Sequence, residues 1–185
     1  HGRAGWDKPH TEATVHWMKY LLGVVESIEF DAQVMITAAY AHDWGYAGLF
    51  HGVDSSDYEQ IMKRKAQHMN IGAVKIERLI YQRLAKFYTQ KQVLRTVHLV
   101  EVHDSFEQIT DHDEVLLLEA DTLGAMDIER TPGSMSYNSN QKYLRDVKQE
   151  RLPRFKHQPA IEIGNKLLQA RINFYQEKFP DKRVF

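Results

Sequence analysis

The sequence contains no cysteine. Disulfide scaffolds, thiolate zinc sites, iron–sulfur clusters and cysteine nucleophiles are thereby excluded, and a chain without cysteine suits the cytosol. It also lacks an excess of charge: 24 Lys+Arg stand against 25 Asp+Glu, a net charge of -1. A duplex-binding surface carries a clear basic surplus, so sequence-independent recognition of DNA or RNA is not expected. No apolar run approaches the ~20 residues that span a bilayer, and the opening HGRAGWDKPH has no charged-then-apolar leader pattern, so neither a membrane nor a secretory destination is expected. The chain begins on His rather than Met, so His1 and Gly2 read as possible remnants of cloning. No strand-like alternation bounded by hairpin turns occurs, nor any P-loop, dinucleotide fingerprint, G-x-S-x-G or H-E-x-x-H.

What is present is helical. Over 185 residues, 43% of them hydrophobic, one domain with a sizeable core is expected over 1–185, its core within 7–130 and closing helices over 141–179. Val15, Met18, Leu21, Leu22, Val25 and Ile28 recur at three- and four-residue steps and predict a helix over 11–28. Asp31 is an N-cap for 32–41, AQVMITAAYA, which is apolar or small on nearly every side and therefore a buried helix. A charged amphipathic helix is expected over 58–68, a break at Asn70–Gly72, then a helix over 73–87. Thr89 caps the next, which carries Val93, Val97, Val100 and His103. VLLLEADTLGAM, 115–126, is a second helix apolar on all sides, and 131–140, TPGSMSYNSN, reads as a linker. Helices over 141–152 and 160–179 complete an all-α, orthogonal bundle of about seven or eight helices.

Two carboxylates stand where an isolated charge costs several kcal/mol: Asp43 at the end of one buried helix and Asp121 within the other. Neither helix offers many Arg or Lys to pair with them. Histidines are near at hand in sequence: His42 adjoins Asp43, and His10, His68 and His103 lie at expected helix ends or turns. Imidazole and carboxylate without thiolate suit divalent Mn, Fe, Co, Ni, Zn or Mg, and a metal accounts for the buried charges better than local pairing. Ten histidines would scatter some near any Asp, and His-Asp recurs at His103-Asp104 and His112-Asp113. The ordered set His10, His42-Asp43, His68, His103, Asp121 is harder to obtain by chance. Trp17, Trp44 and Tyr46 read as core and pocket wall.

His10 in WDKPHTEATV, His42-Asp43 in ITAAYAHDWGY and Asp121 in LLLEADTLGAM resemble the motif of the HD-domain metal-dependent phosphohydrolases. His68 in AQHMNIGA and His103 in LVEVHDSFE are similar to the further histidines of two-metal members, and NQKYLRDV and IGNKLLQARINFYQEKF look like the closing helices of bacterial ones. The resemblance covers 7–130. His16 is the rival of His10 as first ligand, and Trp44-Gly45-Tyr46 follows the His-Asp where the family often has Gly-Lys.

The resemblance implies hydrolysis of a phosphomonoester or phosphodiester, a nucleotide being one candidate, by metal-activated water, with a small phosphorylated molecule as the partner. His10, His42, Asp43 and Asp121 would hold one metal; Asp43 would bridge to a second held by His68 and His103. Asp104 either orients the nucleophile or is an exposed cap for the turn at Ser105, and Arg130 and Lys65 are candidates for phosphate contact. The alternatives are a di-iron oxygenase of the same type, and a non-enzymatic ligand-binding module that keeps its metal for structure.

Overall fold

The computed structural model describes every residue except 1, 4, 27, 132, 134, 183 and 185; His1, and Pro132 and Ser134 of the expected linker, thus lie outside the described residues. Eight α-helices follow one another, with no strand among the described residues: α1 (Asp7–Val24), α2 (Ala32–Ala41), α3 (Tyr58–Met62), α4 (Lys65–Leu79), α5 (Gln90–Val102), α6 (His112–Met126), α7 (Tyr137–Asp146) and α8 (Gln158–Lys178). The architecture is an all-α bundle, as the helical periodicity predicts. No helix among the described residues is long and apolar enough to cross a membrane.

The bundle is organised around α6. Every residue from Glu114 to Met126 is buried, which is why this stretch shows no polar face in sequence. Its main neighbour is α1, with α8 and α2 packed beside it. Gly124 permits the α1 approach, since a Cβ there would lie 2.7 Å from the Thr14 backbone nitrogen. The two expected caps are formed: Asp31 accepts from the Val34 amide at 3.1 Å, and Thr89 with Gln92 closes a capping box at the start of α5.

One expected break is absent. Asn70 and Gly72 lie inside α4, and the interruption falls instead at Lys63–Arg64, between α3 and α4. Gly72 serves packing: a Cβ there would meet Val100 Cγ1 at 3.1 Å, and one at Gly45 would lie 1.7 Å from the His68 carbonyl oxygen. The Trp44–Tyr46 turn therefore seats directly on α4. The expected linker at 131–140 is also shorter, because Ser136 caps α7 by accepting from the Ser139 amide. Beyond α7 the chain continues through a π-turn at Val147–Arg151 and a 3-10 turn at Leu152–Arg154. These turns carry Arg151 back to α6.

Candidate metal centre

Four histidines and two aspartates from α1, the end of α2, α4, the end of α5 and α6 converge in the interior, all of them buried. The α1 helix starts at Asp7, whose charge suits a helix N-terminus, and Pro9 is tolerated in the first turn, where amides lack intrahelical partners. That places His10 on the inward face, while His16 is exposed.

His42 and His103 use one local device. Each is the residue that ends a helix, and each Nδ1 donates at 2.8 Å to a carbonyl three residues back, Ala39 for His42 and Val100 for His103. These carbonyls belong to helix ends and lack intrahelical donors. A carbonyl only accepts, so Nδ1 carries the proton and Nε2 is left to face the interior. His68, in the first turn of α4, is held differently: the Tyr46 ring stacks on it at 3.9 Å between centroids and 8° between planes.

Asp43 sits at the centre, at φ -95° and ψ 3°, where the chain turns out of α2. Its Oδ2 lies 3.4 Å from His10 Nε2 and 3.5 Å from His42 Nε2; its Oδ1 lies 3.4 Å from His68 Nε2 and 3.9 Å from His103 Nε2. Asp121 Oδ1 adds itself to the first pair, 2.9 Å from His10 and 3.6 Å from His42. Ligands bound at about 2.0–2.2 Å to one cation lie roughly 3–3.5 Å apart at adjacent positions. His10, His42 and Asp43 form one trio able to hold a metal ion, and Asp43, His68 and His103 form another.

Arginines far away in sequence also meet both carboxylates. Arg3 donates to Asp43 Oδ2 from forty residues upstream, and Arg151 Nη1 donates to Asp121 Oδ2 at 2.9 Å from thirty residues downstream. Pairing sought only within the two helices overlooks both. The hint in the sequence was indirect: a buried carboxylate demands a counter-charge from somewhere. Burial alone would raise Asp43 and Asp121, but Arg3 and Arg151, with the histidines, hold both far below the usual carboxylate range. Without a cation, burial lowers His42, yet Asp43 and Asp121 outweigh it and raise the imidazole to about 9. Burial beside His103 instead pushes His68 down to about 4, so it offers a neutral ring. A proton on His42 and a divalent cation are thus alternative counter-charges at one place.

No family model, curated protein or solved structure matches this chain. The site's chemistry therefore rests on its own residues.

A small cavity of about 70 Å³ opens over the carboxylates, walled by Arg3, Tyr46, Lys65, Asp104, Tyr143 and Arg151 among others. Asp104 is not an exposed cap. Its side chain is only 12% exposed, accepts from Arg151 and lies 3.4 Å from Lys65 Nζ; desolvation raises its carboxyl, and Arg151 and Lys65 bring it below its ordinary value. Lys65 lines the cavity. Arg130 does not: it pairs with Asp127 at 2.9 Å beside the Trp17 ring, at the far end of α6, and is absent from the cavity wall. The arginines that line the cavity are Arg3 and Arg151. Trp44, expected in the core or wall, is largely exposed, while Tyr46 is buried.

Proposed function

We propose that this protein is a metal-dependent phosphohydrolase of the HD type, built to hold two divalent cations. The observation that carries the reading is the orientation of Asp43, whose two oxygens address two different histidine pairs. His10, His42, Asp43 and Asp121 would hold one cation, and Asp43, His68 and His103 the other. The donor set is imidazole and carboxylate, which suits Mn, Fe or a similar metal. Bound there, the cations supply an acidified water and positive charge for phosphoryl oxygens.

The remaining residues have separate work. Arg3, Lys65 and Arg151 border the cavity and make it attractive to an anion once the cations offset the carboxylates. Each is fixed in advance: Arg3 by Asp7 and Asp43, Lys65 by Asp104, and Arg151 by Asp104 and Asp121. Such preorganised donors are the protein's main contribution to phosphoryl transfer. Asp104 is ionised at neutral pH and lines the cavity, so it orients a water or a donor rather than serving as a strong base.

The test is metal analysis of protein purified without chelator, followed by a phosphoester screen in Mn²⁺ or Fe²⁺. Two equivalents per chain and turnover that Asp43→Asn abolishes are expected. Metal without phosphoester turnover, accompanied by oxygen consumption in the Fe²⁺ form, would replace the hydrolase by the oxygenase.

A further inference from the structure

The four histidines of the centre are not held alike. His42 and His103 each fix Nδ1 on a carbonyl, and His10, whose Nδ1 is unpartnered, has its Nε2 2.9 Å from Asp121. His68 has neither anchor. Its Nδ1 is buried without a hydrogen-bond partner, and its Nε2 comes no closer than 3.4 Å to Asp43. A ligand ring that is oriented beforehand binds metal more tightly, and the partners that orient it are typically worth about 10–100-fold in affinity.

What orients His68 is the Trp44–Tyr46 turn. Gly45 lets the turn press against the His68 backbone, since a Cβ there would collide with the His68 carbonyl oxygen. Tyr46 then lies flat on the imidazole, 3.9 Å between centroids and 8° between planes, and is itself only 3% exposed. With one face of the phenol covered by His68, the Arg3 guanidinium, 4.2 Å from its centroid, covers the other, and Phe50 packs at 5.6 Å. The stack fixes the plane of the His68 ring. It is the one hold on that ring besides the cation-facing contacts of Nε2 with Asp43 and His103.

The two trios also differ in charge. Asp121 adds a second carboxylate to the His10, His42, Asp43 trio, whereas His68 and His103 share only Asp43. The trio with two carboxylates should fill first, so the two cations should enter in separable steps.

We propose that Tyr46 is a positioning residue for the second cation: its ring holds the His68 imidazole in the plane that brings Nε2 to Asp43, and so sets the affinity of the Asp43, His68, His103 trio independently of the first. This rests on the two-cation reading. The first trio does not depend on Tyr46, because Arg3 keeps its bonds to Asp7 and Asp43 when the phenol is removed.

The experiment titrates metal-free protein with Mn²⁺, reading the free ion by electron paramagnetic resonance, with folding checked by circular dichroism. Unmodified protein is compared with Tyr46→Phe, which keeps the stack, with Tyr46→Met, which keeps apolar bulk without it, and with His68→Ala, which identifies the second step by abolishing it. Tyr46→Phe should leave both steps within about threefold. Tyr46→Met should weaken the second step by about 10–100-fold and leave the first within about threefold. Added to His68→Ala, Tyr46→Met should change nothing further. Should Tyr46→Met not fold, Tyr46→Leu takes its place under the same criteria. Two equivalents with an unaltered second step in the variant overturn the role of Tyr46 alone, as does an equal loss in both steps, which would make it a packing residue. An unmodified protein that takes up only one equivalent overturns the two-cation reading and this role with it.

Discussion

Arg151 joins Asp121 and Asp104 through a single guanidinium: Nη1 bonds Asp121 at 2.9 Å while Nη2 bonds Asp104. The turn after α7 is thereby fastened both to the middle of α6 and to the end of α5. Asp121 keeps its other oxygen for His10 and His42. One carboxylate therefore serves fold and site together.

Replacing Arg151 with Met should consequently destabilise the metal-free protein by about 3 kcal/mol, because Asp121 and Asp104 lose their shared guanidinium at once and keep only His10, His42 and Lys65 as partners. For a chain of this length that lowers Tm by on the order of 10 °C. Saturating Mn²⁺ should recover part of the loss by supplying charge at Asp121. Thermal scans with and without metal check this; an equal loss in both would remove Asp121 from the ligand set.

His10 should outrank His16 as ligand. His10→Ala is expected to weaken metal binding by at least ~100-fold, losing a first-hand donor where even outer partners are worth 10–100-fold. His16→Ala, on an exposed position, should leave it within about twofold. The opposite ranking in a metal titration would show that α1 presents the wrong face in this account.

The two trios share only Asp43, so they should separate by mutation. A double His68→Ala, His103→Ala variant should retain one equivalent of metal and lose most activity. Retention of two equivalents, or an unmodified protein that never exceeds one in excess Mn²⁺, would reduce the centre to a mononuclear one.

Glu114 supplies a pH signature outside the two candidate metal trios. It is buried, which by itself would raise its carboxyl, but it accepts from the Thr110 and Asp111 amides at 2.7 and 2.9 Å and from His98 and Arg95. These bonds win and bring it from 4.5 to about 2. A carboxyl lowered on folding stabilises the fold above its unfolded value and loses that contribution as pH falls through its folded one. Glu114→Gln should therefore cost about 1–2 kcal/mol at pH 7, with the difference from unmodified protein narrowing between pH 4 and 2. Urea midpoints across that range measure it; a gap independent of pH would assign the effect to packing.

The sequence by itself determined the elements whose causes are local. Periodicity places α1 within a few residues, the all-apolar runs identify α2 and α6 as buried, and Asp31 and Thr89 form the caps their side chains allow. The same runs expose Asp43 and Asp121 as charges in need of a counterpart, and the six expected metal-site residues are brought together around Asp43. Tertiary structure alone decided how those charges are balanced. Arg3 and Arg151 come from forty and thirty residues away, a distance over which no periodicity or cap carries information. It also drew Asp104 into the cavity wall beside Lys65 and Arg151, left Arg130 paired with Asp127 outside the cavity, and carried α4 through Asn70 and Gly72. In that last case the glycine that looks like a helix stop lies inside α4 under the Trp44–Tyr46 turn, where Gly45 is the residue that must lack a side chain, since its Cβ would lie 1.7 Å from the His68 carbonyl oxygen, a contact that exists only once the helices have packed.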